Sequence, residues 1–126
     1  MIELPQEVAA AWDNRDGAIV LTTVSNDGIA NSIYATCVSK YDNATLVVAD
    51  NYFDKTRQNI KHGNTSGVIL FITDAGKAYQ VKGTLEYCTE GAIFDTMKGW
   101  NDPKHPGHAA VALKVESVYS GAEKLA

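Results

Sequence analysis

The chain has 126 residues, of which 45% are hydrophobic and 21% charged, and its formal net charge is −4. That balance predicts one domain with a single core, and the negative charge offers no basic field to attract nucleic acid or an anionic membrane surface. No apolar run approaches the roughly 18 residues of a membrane span and the N-terminus shows no signal-peptide pattern, so the expected compartment is the cytoplasm.

In chain order, residues 5–13 read as a short helix, with Pro5 suited to its first turn and Val8, Ala11 and Trp12 on one face. Asn14-Arg15-Asp16-Gly17 breaks it. Residues 18–24 form a β-branched strand, and Ser25-Asn26-Asp27-Gly28 is a hairpin turn. The return strand is expected over 29–39, a turn at Tyr41-Asp42-Asn43, and a third strand over 44–49. A helix over 55–61 follows, with Gly63 as its C-terminal cap.

Strands are expected over 66–73 and 77–87, joined by Asp74-Ala75-Gly76. A helix over 90–100 carries Ala92, Ile93, Met97 and Trp100 as its apolar positions, and a polar loop over 101–107 leads to a last strand over 108–118. Six strands joined mostly by hairpins exclude a parallel βαβ arrangement and fit a mainly β, antiparallel, Greek-key-like barrel with peripheral helices. The two cysteines, Cys37 and Cys88, have no partner at disulfide-framework or metal-site spacing and read as small buried residues.

The segment from Leu46 to Ile60 holds the chemistry. A buried strand (Val48-Ala49-Asp50-Asn51) runs through a loop into Lys55-Thr56 at the start of a helix. The first N–H groups of a helix lack internal partners and carry partial positive charge, so an anion gains those donors, the Thr56 hydroxyl and the Lys55 ammonium together. In isolation the same residues also describe a solvated lysine beside a helix start. The histidines form no catalytic grouping: His62 sits at a helix end, and His105 and His108 flank Pro106.

Three ordered segments widen the pattern: residues 27–34, with Ser32-Ile33-Tyr34 on the return strand; residues 48–60; and residues 79–86, with Gln80 on a long strand. In that order they resemble the FMN-binding split barrel family related to pyridoxamine 5′-phosphate oxidase. The resemblance implies a split, six-stranded antiparallel barrel over residues 1–126 that binds FMN without a covalent link. It places the FMN phosphate at Lys55 and Thr56, with Asn59 supporting the loop. Ser32, Ile33 and Tyr34 border the isoalloxazine and ribityl chain, Val48, Ala49, Asp50 and Asn51 add contacts from the neighbouring strand, and Gln80 reaches the ligand from the long strand. It also implies a homodimer with the flavin at the subunit interface and some residues serving the partner's flavin.

The implied activity is a small flavin-dependent oxidoreductase or electron carrier, supplied by a nicotinamide nucleotide or a protein electron donor. The broad fold group also includes F420 and haem binders. No arginine follows Arg57, whereas pyridoxamine phosphate oxidases end in a basic segment, so vitamin B6 chemistry is not implied. Asp50 and Asp54 flank the anion site, and the reading requires both to point away from it. The alternative is a flavin-free small barrel that binds a ligand or a protein; an oligonucleotide-binding barrel fits less well because basic residues are few.

Overall fold

The computed structural model describes residues 1–126. The elements are α1 (Gln6–Asp13), β1 (Ile19–Val24), β2 (Ala30–Ala35), β3 (Val38–Asp42), β4 (Thr45–Asp50), α2 (Lys55–His62), β5 (Asn64–Ile72), β6 (Ala78–Cys88), α3 (Ala92–Trp100), β7 (Ala109–Ser120) and β8 (Glu123–Lys124). All strand pairs are antiparallel, in the order β2-β1-β5-β6-β7-β4-β3, with β8 pairing β7 off that path. The two end strands, β2 and β3, are consecutive in the chain and joined by Thr36 and Cys37 alone. Chain continuity therefore draws the two edges of the sheet together, and the sheet curls into a half-barrel with its split beside that link.

The expected split-barrel class holds, with eight strands in place of six. The run expected as one strand over 29–39 is interrupted at Thr36-Cys37, and its second part pairs with β4 instead of β1. The expected turn at Tyr41-Asp42 lies partly inside β3, because Asp42 still pairs Thr45 across a register shift. The short β8 is an end-of-chain pairing with Tyr119 and Ser120.

Alternation decides what each strand buries. On β1, Ile19 and Leu21 enter the core while Val20 and Thr22 remain half-exposed. α1 contributes Val8, Ala11 and Trp12 to the same core, where Trp12 meets Phe71 edge-on with ring centroids 5.2 Å apart. β4 is buried at every position, as a strand covered on both faces must be. Leu46 and Val48 face the barrel core, whereas Val47 and Ala49 lie beneath α3 in a smaller cluster with Met97, Ala110 and Ala112. The alanines leave room for the helix to sit close to the sheet.

Two glycines have structural tasks. A Cβ on Gly83 would lie 2.0 Å from the Lys114 carbonyl oxygen, at the register shift between Lys82 and Gly83 where β6 meets β7. Gly63 donates its N–H to Asn59 O at 2.8 Å as a cap does, but its φ of −112° is not left-handed. A Cβ there would lie 2.9 Å from Val24 O, so the glycine serves the close passage of α2 over β1.

Candidate functional site

A pocket of about 390 Å³ opens where the half-barrel is split. Its walls are β2 with the Thr36-Cys37 link, the end of β4, the 51–54 loop and the first turn of α2. Ile33, Ala35, Ala49 and Phe53 give it an apolar side, and Asn31, Asn51, Lys55 and Thr56 give it polar groups at its edges. Such a mixture in a cavity of this size suits a small organic ligand.

Of the expected contact residues, Ile33, Tyr34, Ala49, Asn51, Lys55 and Thr56 line this pocket. Thr56 is buried, and its Oγ1 accepts a hydrogen bond from Asn31 Nδ2 at 3.1 Å, which leaves the hydroxyl proton free for an acceptor. No side chain caps the N-terminus of α2, so its first amides retain the positive end of the helix. Tyr34 is 81% exposed at the rim.

The other expected residues lie elsewhere. Ser32 faces the opposite side of β2 from Ile33 and shares a 2.8 Å hydrogen bond with Thr22. Val48 is wholly committed to the core. Asn59 donates to Thr23 Oγ1 at 3.0 Å and so fastens α2 to β1, a supporting role behind the pocket. Gln80 lies on the outer face of the sheet, in one cross-strand row with Tyr34, Val20 and Leu70. In a single chain it is remote from the pocket.

Asp50 turns inward. Its carboxylate is fully buried and accepts from Arg57 Nε at 2.7 Å, Arg57 Nη2 at 3.0 Å, the Tyr87 hydroxyl at 2.5 Å and the Phe53 N–H at 3.0 Å. Burial alone pushes this carboxyl upward, but the Arg57, Tyr87 and Phe53 hydrogen bonds outweigh it and hold the group below the ordinary range. Burial and the Asp50 hydrogen bond push the Tyr87 phenol up to about 12. The consequence for the site is a matter of charge. Arg57 is spent on Asp50, and Lys61 lies over the Tyr87 ring at 5.4 Å, so Lys55 is the one lysine or arginine lining the pocket. Asp54 also lines it, exposed to water at the N-cap of α2.

Sequence reasoning missed Asn31, Ala35, Thr36, Cys37, Tyr52, Phe53 and His105, and it expected Asp54 to point away from a pocket that Asp54 in fact lines. Asn31 and Ala35 share the face of Ile33 at a spacing of two, a signal the strand alternation does contain. His105 arrives from a loop 53 residues beyond Tyr52, and no local pattern announces that meeting.

Residues 4–120 match the model of the pyridoxamine 5′-phosphate oxidase family. The chain belongs to that family. Among solved structures, HupZ of Group A Streptococcus is 25% identical, with a TM-score of 0.80 and 93% of each chain covered. An FMN-binding protein of Syntrophomonas wolfei superposes with a TM-score of 0.76 at 20% identity, over 90% of this chain and 83% of that one. The haem storage protein HutZ of Vibrio cholerae does so with a TM-score of 0.68 at 14% identity, over 94% and 95%. The last two likenesses are of fold alone.

Proposed function

We propose that this protein binds FMN non-covalently in the pocket at the barrel split, one flavin per subunit of a homodimer, as a small oxidoreductase or electron carrier. The observation that carries this reading is the joining of an apolar slot to an uncapped helix N-terminus bearing Lys55 and the buried Thr56. The slot suits a flat ring system, and the helix start suits a terminal phosphate. The family membership and the FMN-binding protein that shares the fold support the choice of flavin over other ring phosphates.

Lys55 and the α2 amides would hold the phosphate, with Thr56 donating its free hydroxyl proton. Ile33, Ala35 and Ala49 exclude water from the apolar side. Bound FMN supplies the redox chemistry, and the protein supplies orientation and access. A second subunit fits the outer face, where the row Tyr34–Val20–Leu70–Gln80 leaves Tyr34 at 81% and Leu70 at 38% exposure. In such a pair Gln80 would serve the partner's flavin.

The test is an absorbance spectrum of purified protein across the near-ultraviolet and visible, before and after FMN is added and desalted. Paired flavin bands that survive desalting support the reading. A dominant Soret band would transfer the pocket to haem, the ligand of the Vibrio cholerae protein that shares the fold. No retained chromophore and no saturable FMN binding would leave the flavin-free barrel. Anaerobic reduction by NADH or NADPH then separates a nicotinamide-dependent enzyme from a carrier reduced by another protein.

A further inference from the structure

Two rings from distant parts of the chain meet at the pocket. The Tyr52 hydroxyl lies 3.1 Å from His105 Nδ1, the ring centroids are 5.6 Å apart and nearly perpendicular, and both residues line the cavity. An exposed aromatic contact can be incidental, but this one is fixed from behind. Asn51, next to Tyr52, and Asn101, at the start of the loop carrying His105, are both 6% exposed and bond reciprocally at 2.8 and 3.2 Å. Asn51 Oδ1 also accepts the Gly107 N–H at 3.0 Å. Lys98 Nζ holds the Pro106 carbonyl at 3.0 Å, and the His105 N–H bonds Asp102 O at 2.9 Å. Buried amides cost stability unless fully paired, and here that pairing locks together the two loops that carry the rings.

We propose that His105, oriented by Tyr52, is a ligand-positioning residue that offers an N–H to a carbonyl oxygen of the ring bound in this pocket. Where the Tyr52 phenol donates to Nδ1, the ring's own N–H is on Nε2, and that N–H is the donor presented to the ligand. The inference rests on the flavin reading, in which the acceptor is a carbonyl of the isoalloxazine. A donor at that edge stabilises the electron-rich reduced ring more than the oxidised one, so the pair sets potential as well as orientation.

The experiment compares wild type, His105→Ala, His105→Gln and Tyr52→Phe. FMN affinity is measured by fluorescence quenching, the flavin midpoint potential by equilibration with a reference dye, and folding by circular dichroism. His105→Ala is expected to lower the ratio of reduced to oxidised FMN affinity about tenfold, equivalent to about 30 mV for a two-electron couple. His105→Gln, which keeps an N–H donor, should recover most of that shift, and Tyr52→Phe should lie between. A loop that is merely structural would lower both affinities together and leave the potential unmoved. Folded His105→Ala with wild-type potential overturns the proposal, and if that variant does not fold, wild-type potential in Tyr52→Phe does so. Wild type that binds no FMN overturns the flavin reading and this proposal with it, an outcome distinct from flavin bound with an insensitive potential.

Discussion

Arg57 reaches back from the first turn of α2 to the buried carboxylate of Asp50 at the end of β4, with Nε 2.7 Å and Nη2 3.0 Å from its two oxygens. The pair spans the 51–54 loop and fixes where α2 begins, and so fixes Lys55 and Thr56 at the pocket. Removing one partner of a buried pair leaves an uncompensated charge, which costs about 3–5 kcal/mol when both are fully buried. Arg57 is 30% exposed, so water relieves part of that cost.

Arg57→Met is therefore expected to destabilise the fold by about 2–3 kcal/mol, below the range for a fully buried pair because Arg57 is partly solvated. Combining it with Asp50→Asn should recover part of the loss, since no buried charge then remains. Urea denaturation of the two single variants and the double variant measures the coupling. Additive losses would show that the pair does not act as a unit.

The same cluster gives stability a defined pH dependence. The folded state holds the Asp50 carboxyl below its usual value of 3.8, so its contribution is present above that pH and is lost as pH falls through the folded value. For Tyr87 the folded state raises the phenol from 10.0 to about 12. The unfolded chain then loses its proton first, and stability declines as pH rises between those two values. Tyr87→Phe should be less stable at neutral pH and should lose that alkaline decline. A decline of equal slope in the variant would assign it to other groups.

How much of this was legible in the chain differs by element. β1, β5, β6 and α1 are readable because each shows one dominant period and ends at a turn residue such as Gly28 or Gly76, whose φ values are 83° and 84°. The break at Thr36-Cys37 is not, because β-branched and small residues continue on both sides and only the choice of partner strand changes. At the site, Lys55 and Thr56 follow from helix-start chemistry. The inward turn of Asp50 depends on a tyrosine 37 residues away, and the Tyr52–His105 contact depends on a loop fastened by two buried amides. Such long-range polar pairing carries no periodicity.

Gly83 offers a test of the barrel itself. Any side chain there meets the Lys114 backbone, which has no flexible end to move aside. Gly83→Ala should cost at least the 1–3 kcal/mol typical of overpacking, because relief requires β6 and β7 to separate. Gly99, in α3 with open space around it, is the control, and Gly99→Ala should be stabilising by about 0.5–1 kcal/mol through helix propensity. Thermal unfolding of both variants checks the contrast, and similar melting temperatures would remove Gly83 as a close-approach site.

The proposed subunit interface makes the last prediction. Tyr34 and Leu70 lie in one cross-strand row, both pairing with Val20, on a face that nothing in the single chain covers. A Leu70→Lys variant places a charge where the partner's apolar surface would pack, outside the pocket lining, which opposes association without touching the core or the site. The expected outcome is a monomer by light scattering with an unchanged far-ultraviolet spectrum. FMN affinity should fall in the same variant, because in the proposed dimer Gln80 would reach only the partner's site. Lys55→Ala, by contrast, should weaken FMN binding by about 1.5–3 kcal/mol, as the loss of a charge-assisted contact, while the dimer persists. A monomeric variant that binds FMN as tightly as wild type would show each pocket to be complete within one chain.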